Sequence, residues 1–504
     1  MIVNRNVCPV RFGFLVVTCL LTSGTCSAED APLAIGSRLE LMVDDYLVAS
    51  LAGDARRVMH HPVPQEIAID FDAPWEGNGS NYPTVFRDDD VYRMYYRGAQ
   101  FTIVDGVLRS GHPAVTCCAL SHDGIHWEKP KLGLIEFDGS KENNIVWNGV
   151  PATQNFVPFK DSRADVPVDQ KYKAFASASS GGLAAFASSD GLRWRLLTER
   201  PVLTDGVFDS QNLAFWDSER GHYRAYYRDF RDGIRDIKTA TSQDFLTWSQ
   251  GEWLNYPGAP AEELYTNQIK PYYRGPHILI GLPTRYVERS WSADLANSLP
   301  DAEHRRVRAA GVESRYGSAL TDTVLMTSRD GRTFQRSNKT FLPPGPERPG
   351  TWNYSHLFTA WGMVETAPRI HGMPNELSIY ATEGGWTGTA AQLRRYTLRM
   401  DGFASICAAS PGGEMRTKPL IFQGKELVLN MATSAAGSVQ VEIQDVDGKP
   451  IQGFTLGDCS PIFGDAVERI VTWNGKSDVF GVADRPVCLR IVLKDADLYS
   501  LRFR

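Results

Sequence analysis

Cysteine is scarce, and this excludes a small scaffold stapled by disulfides. The 504 residues include 8 cysteines, of which Cys8, Cys19 and Cys26 fall in the first 28 residues. A chain this long can bury ample core without covalent staples. Cys459 with Cys488 is the one pairing left open. Cys117 and Cys118 are neighbours in a strand-like stretch, so they should fill two opposite packing surfaces. No Cys/His cluster has zinc spacing, so no metal or cofactor is expected, with a hydrated Ca²⁺ on a central axis left open. Positive charge is not in excess: 53 basic residues face 59 acidic ones, for a net charge of −6. That balance disfavours nucleic acid or an anionic membrane as partner. Helical periodicity is confined to Asp294–Val307, inside a loop. Beyond residue 28 no stretch is apolar enough to cross a bilayer.

Residues 1–28 read as a signal peptide. Arg5 and Arg11 precede an apolar run from Phe12 to Leu21, and a small-x-small cleavage pattern ends at Ala28. The expected location is therefore secreted or periplasmic. The 12 Trp, 19 Tyr and 23 Phe suit β-structure first and sugar stacking second.

One heptapeptide recurs. Ser121-His122-Asp123-Gly124-Ile125-His126-Trp127 returns as Ser188-Ser189-Asp190-Gly191-Leu192-Arg193-Trp194. It returns again as Ser242-Gln243-Asp244-Phe245-Leu246-Thr247-Trp248 and Ser328-Arg329-Asp330-Gly331-Arg332-Thr333-Phe334, with a worn copy at Arg399–Phe403. The chemistry is that of a turn. Ser and Asp side chains bond nearby backbone N–H groups, Gly takes the positive φ, and the aromatic opens the next strand.

A strand signature accompanies it: Val91–Arg97 (VYRMYYR), Lys171–Ser177 (KYKAFAS) and His222–Arg228 (HYRAYYR), with weaker forms at His277–Arg285 and Glu376–Glu383. Four antiparallel strands closed by one such turn make a propeller blade. The expected fold is all-β: a five-bladed β-propeller over residues 29–410 followed by a β-sandwich over residues 411–504, docked rigidly. Asp447-Gly448 and Asn474-Gly475 supply tight turns in the latter.

Blade geometry brings the starts of first strands and the ends of second strands to one face. The expected catalytic carboxylates there are Asp209, Glu263, Glu76 and Glu383. The expected substrate-binding residues are Arg97, Arg228, Arg285, Trp75, Asn212, Tyr265, His356 and Trp386. Glycoside cleavage needs one carboxylic acid to protonate the leaving oxygen and a second carboxylate as nucleophile or base. Aromatics stack on sugar rings, and arginines would match a uronate or sulfate bidentately. Structural readings stand beside these. Asp209 caps a turn, Glu262 and Glu263 are solvated loop charges, Glu76 pairs with a basic group, and Glu383 faces a blade interface. Arg97 and Arg228 bridge blades, and His304 and His356 are rim residues. Asp44 and Asp45 are either axial or cap a leading strand. The long segment from Tyr286 to Leu320 is expected as a rim or lid over the axis.

The repeated Ser-x-Asp-Gly-x-x-Trp turns, the Tyr-Arg-Met-Tyr-Tyr strand and the terminal sandwich resemble the five-bladed-propeller glycoside hydrolases of invertase/levanase and arabinanase type. The resemblance implies three axial acids, at the places of Glu76, Asp209 and Glu263 or Glu383. The invertase-type Trp-x-Asn-Asp-Pro-Asn, Arg-Asp-Pro and Glu-Cys motifs are absent, which argues against β-fructofuranosidase activity. The expected function is a secreted glycoside hydrolase acting on a polysaccharide or oligosaccharide, with an anionic one favoured if the arginines reach the axis. The alternatives are a non-catalytic carbohydrate-binding propeller and a protein-interaction propeller.

Overall fold

The computed structural model describes residues 31–149, 154–388 and 390–504; the expected signal peptide lies outside them. Five antiparallel sheets follow one another. Blade one is Asn81–Asp88, Val91–Gly98, Val115–Ser121 and Ile145–Trp147, and blade two is Gln154–Lys160, Tyr172–Ser177, Leu183–Ser188 and Arg195–Leu196. Blade three is Leu213–Asp217, His222–Arg231, Ile234–Ser242 and Glu252–Trp253. In blade four the two inner strands are each broken: Glu263–Leu264 with Lys270–Tyr272, then Gly275–Gly281 with Thr284–Val287, before Leu320–Ser328 and Gln335–Leu342. Blade five is Val364–Thr366, Glu376–Glu383 and Gln392–Arg399, and its outer strand is Val63–Asp70 from the start of the chain. The ring is thus closed by non-covalent pairing of distant segments. At the axis, Val85 N donates to Trp361 O and Trp361 N to Pro83 O, both at 2.8 Å, so blades one and five meet backbone to backbone.

Strand alternation builds the inter-blade cores. In the second strand of blade one, Met94 and Tyr96 face the cluster shared with blade five, whereas Tyr95 faces the cluster shared with blade two. Cys117 and Cys118 split between the same two clusters.

The recurring turn has one bonding pattern at four sites. The Ser Oγ accepts from the N–H three residues on, at Gly124, Gly191, Phe245 and Gly331, each at 2.9 Å. The Asp Oδ1 accepts two further N–H groups, as Asp190 does from Leu192 and Arg193 at 2.8 Å. The signature strand reads this turn in the next blade. Tyr95 Oη donates to Gly191 O (2.9 Å), Tyr226 Oη to Gly331 O (2.8 Å), and Tyr380 Oη to Gly124 O. Blade two has Phe175 at that position, and the turn it meets has Phe245 in place of Gly. The two rings stack at 4.9 Å, with Phe245 held at φ +70°.

The second module is one eight-stranded sheet folded around its own core as a sandwich. Its long strands are Leu427–Gln444 and Cys488–Phe503. Residues assigned above to the propeller belong to it: Glu40–Leu41, Val48–Gly53 and Arg56–Met59 all pair there, and Leu33–Gly36 pairs with Leu420–Phe422. The domain boundary is therefore crossed by the N-terminal strands, because the partners of these edges lie after residue 403. Cys459 is a free thiol, so no bridge joins it to Cys488. Asp44 is not axial. With buried Glu40 it grips Arg329 from the blade-four turn, at 2.7 and 2.8 Å. Asp45 pairs with Arg57 at 2.7 Å, likewise far from the axis. The worn fifth turn places Asp401 where Tyr272 (2.6 Å) and Arg274 (3.0 Å) of blade four meet Ser500 (2.9 Å) of the sandwich. These contacts and a shared apolar cluster dock the two modules.

Candidate active site

The face carrying the first-strand starts holds an aromatic cup. Tyr82 from blade one, Tyr265 and Tyr286 from blade four, and Tyr354 and Phe358 from blade five form one buried cluster, with Tyr316 and Trp386 against it. Tyr354 Oη donates to Tyr265 Oη at 2.9 Å. Tyr316 and Trp386 stack nearly parallel with centroids 5.3 Å apart, and Phe101 lies 4.9 Å from Trp386. Tyr82 and Trp386 hold left-handed backbone, φ 56° and 61°. Each such residue costs about 1–3 kcal/mol, a strain that collects where side chains must be aimed. In blade one the cause is a bulge between Asn81 and Thr84, where Asn81 Oδ1 accepts from the N–H of Tyr82 (2.8 Å). Burial raises the Tyr82 and Tyr354 phenols well above their usual range, so both stay neutral donors.

The rim is built from insertions. In blade one the hairpin Phe101–Val104 with Val107–Ser110 turns at Asp105-Gly106, both with positive φ, the I′ geometry such pairs favour. From blade four rise helices α1 (Ala293–Ser298), α2 (Ala302–Gly311) and α3 (Arg315–Ser318), within the segment expected to form a lid. Asp301 accepts from Gly350 N (2.7 Å), His304 Nε2 from Gly388 N (3.3 Å), and Arg305 donates to Trp352 O. The insertion therefore rests on blade five beside the cup.

Among the expected acids, Asp209 is exposed, forms no ion pair among the described residues, and lies close enough to Tyr82 and Tyr316 for its charge to raise both phenols further. Glu263 stands at the wall of the cup but is held by Arg235 Nη1 at 2.7 Å. Glu76 is buried on the outer side of blade one. It is bonded by Lys129 Nζ (2.6 Å), Tyr96 Oη (2.5 Å) and Ala73 N (3.0 Å). Its bonds to Tyr96 of the second strand and to Lys129, ahead of the outer strand, hold it away from the axis. Glu383 is buried against Arg348 and Arg394. Burial alone would raise its carboxyl, but the two guanidiniums outweigh that and hold it below the usual range.

The expected binding residues also divide. Arg97 lies 5.0 Å over the Tyr82 ring and Arg228 5.4 Å over the Tyr265 ring. Neither meets a carboxylate among the described residues; they bond Gly79 O (2.8 Å) and Val207 O (3.2 Å). Tyr265 and Trp386 line the cup. Arg285 is taken up by Asp322 and Glu262, Trp75 by Asn144 (2.7 Å), and Asn212 by Phe208 O and Ser210 O. His356 is fully buried behind the cup, and burial lowers its imidazole to about 3.

Sequence reasoning passed over Tyr82, Tyr316, Arg235 and Arg315. Asn81-Tyr82 carries a usable signal, an aromatic directly after the amide that turns the chain at the bulge. Arg235 follows the Asp232-Gly233 hairpin turn, which carries it over the rings of Tyr265 and Tyr286. Glu288 at the base of the insertion is exposed, accepts from Tyr286 Oη at 3.3 Å, and forms no ion pair among the described residues. Among the described residues no group of three or more His, Cys, Asp or Glu is placed to hold a metal ion.

No protein-family model matches the chain, and no curated protein matches it in sequence. Similar solved structures include an endo-arabinase from Bacteroides thetaiotaomicron, at 10% identity and TM-score 0.38, covering 67% of this chain and 98% of that one. A GH32 β-fructofuranosidase from Bombyx mori is similar at 11% identity and TM-score 0.36, covering 88% and 94%. The catalytic domain of a GH62 α-L-arabinofuranosidase from Coprinopsis cinerea is similar at 8% identity and TM-score 0.40, covering 68% and 99%. Likenesses at this level transfer no chemistry, so the site is read from its own side chains.

Proposed function

We propose that the protein is an exported glycoside hydrolase that cleaves an oligosaccharide or polysaccharide at the aromatic cup. The observation that carries this reading is Asp209: a carboxylate with no ion-pair partner among the described residues, within electrostatic range of the Tyr82 and Tyr316 phenols of the aromatic cup. Rings offer flat apolar faces to a sugar, and phenols donate to its hydroxyls. Glu288 is the second carboxylate of the proposed pair, one group protonating the leaving oxygen while the other attacks or activates water. Arg97 and Arg228, both without a carboxylate partner among the described residues, favour a substrate bearing a uronate or sulfate.

The test is sugar release from neutral, uronic and sulfated polysaccharides by the purified protein and by Asp209→Asn. Release should fall about 10²–10⁴-fold in the variant. Undiminished release would remove Asp209 from the chemistry. A second reading, glycan binding without cleavage, draws on the engagement of Glu76, Glu263 and Glu383 in ion pairs. It would be favoured by saturable polysaccharide binding with no release from the unaltered protein.

A further inference from the structure

The axis of the ring is partitioned. Gln211 Nε2 of blade three donates to Pro83 O (3.1 Å) and Thr84 Oγ1 (3.2 Å) of blade one. Gln268 Nε2 of blade four donates to Gln211 Oε1 (2.7 Å) and to Thr359 O (2.5 Å) before blade five. The aromatic cup lies on one side of this amide belt. On the other side is a cavity of about 260 Å³, walled by Phe86, Leu282, Ala360 and Val364 and bordered by Gln268 and Lys270.

Lys270 is the unusual group. Its ammonium lies 5.2 Å from the Trp361 ring and 6.0 Å from the Phe86 ring, and it meets no carboxylate among the described residues. Burial lowers it to about 8, with no neighbouring charge contributing. The other titratable groups at this cavity are engaged. Arg87 bonds Asp89 O (2.9 Å), Tyr272 bonds Asp401 (2.6 Å), and Tyr273 bonds Glu365 (2.8 Å), which also accepts from Asn375 (2.6 Å). One buried unsatisfied atom borders the same space: Gln268 Oε1 has no hydrogen-bond partner. Unpaired buried polar groups are costly unless something completes them.

We propose that this cavity is a second ligand site, separate from the cup, which takes a small organic carboxylate on an apolar or aromatic body. The carboxylate would pair with the Lys270 ammonium and the body would fill the apolar walls, while a hydroxyl or N–H on the ligand could reach Gln268 Oε1. The inference is independent of sugar cleavage.

The test is calorimetric titration of the whole protein with benzoate at pH 7, with benzyl alcohol as the uncharged control. Benzoate should bind at one saturable site, and benzyl alcohol at least tenfold more weakly. Lys270→Met should weaken benzoate at least tenfold. Val364→Trp, which fills the cavity and keeps the ammonium, should do the same, and thermal melting verifies that both variants fold. Affinity should fall about tenfold per pH unit above pH 8.5, because only the protonated amine pairs with the anion. No binding by the unaltered protein, equal binding by Lys270→Met, or equal binding of benzyl alcohol would each overturn the proposal.

Discussion

At the scale of single residues, the carboxylates of this protein separate by what already holds them. Asp209 is exposed and forms no ion pair among the described residues, whereas Glu76 accepts three hydrogen bonds out of contact with solvent. Asn and Ala substitutions should therefore act on different quantities. Asp209→Asn should leave the melting temperature within about 2 °C of the parent, since exposed sites away from packing contribute little. Glu76→Ala should cost about 2 kcal/mol, because it leaves the buried Tyr96 hydroxyl without its acceptor, while Lys129 keeps Asp72 at 2.9 Å. Denaturant unfolding monitored by tryptophan fluorescence compares the two. The same contrast explains what the sequence could tell. Residue type and strand position marked Glu76 and Glu383 as candidates, but whether an acid meets a lysine or arginine from another segment is set by tertiary register.

At the scale of elements, the Ser-x-Asp-Gly turn and the signature tyrosine act as one device, the turns of blades one, two and four each being read by a tyrosine of a neighbouring blade. Gly191 shows why glycine is required. Its φ is +75°, and an added Cβ would lie 2.7 Å from the hydroxyl of buried Tyr95. Gly191→Ala should destabilise the protein by about 2 kcal/mol, and Tyr95→Phe in the same background should restore part of the loss; paired unfolding curves measure both. The turn carboxylates also set a pH dependence. Burial opposes ionisation of Asp190, yet the backbone donors of Arg193 and Leu192 prevail and bring it down to about 2; Asp244 and Asp330 are lowered for the same reason, and Asp123 first by the His126 side chain and then by its backbone donors. A depressed carboxyl stabilises the fold fully above its unfolded value near 4, and that contribution is lost as pH falls toward 2. Neutral buried His356 adds a loss beginning below about 6.5. Unfolding midpoints measured from pH 7 to pH 2 should fall throughout, most steeply below pH 4. This level was the most legible in the sequence, since local turn chemistry repeats in the residues themselves. The partnership of Phe175 with Phe245 shows the limit: both departures from pattern are visible in the chain, but only their stacking shows that one compensates the other.

At the scale of the whole molecule, the sequence revealed the count of blades but not how the ring is fastened. Turn spacing carries no record of which edge strand pairs with which, so the N-terminal segment was assigned to the wrong module. Arg329 illustrates the fastening: it lies inside a blade-four turn yet pairs with Glu40 and Asp44 of the sandwich. Arg329→Met leaves buried Asp44 without its cation, while Glu40 keeps Arg38 at 2.6 Å, and should split a single calorimetric transition into two, with the sandwich melting first. A single undivided transition at the parental temperature would mean that the apolar cluster alone couples the modules. The fastening has a further consequence in time. Val63–Asp70 finds its neighbour only in Gln392–Arg399, and Val48–Gly53 only in Gly413–Thr417. As the chain emerges from the ribosome, its earliest strands must wait unpartnered until four-fifths of the polypeptide has been made, so completion of the fold is postponed almost to the end of synthesis.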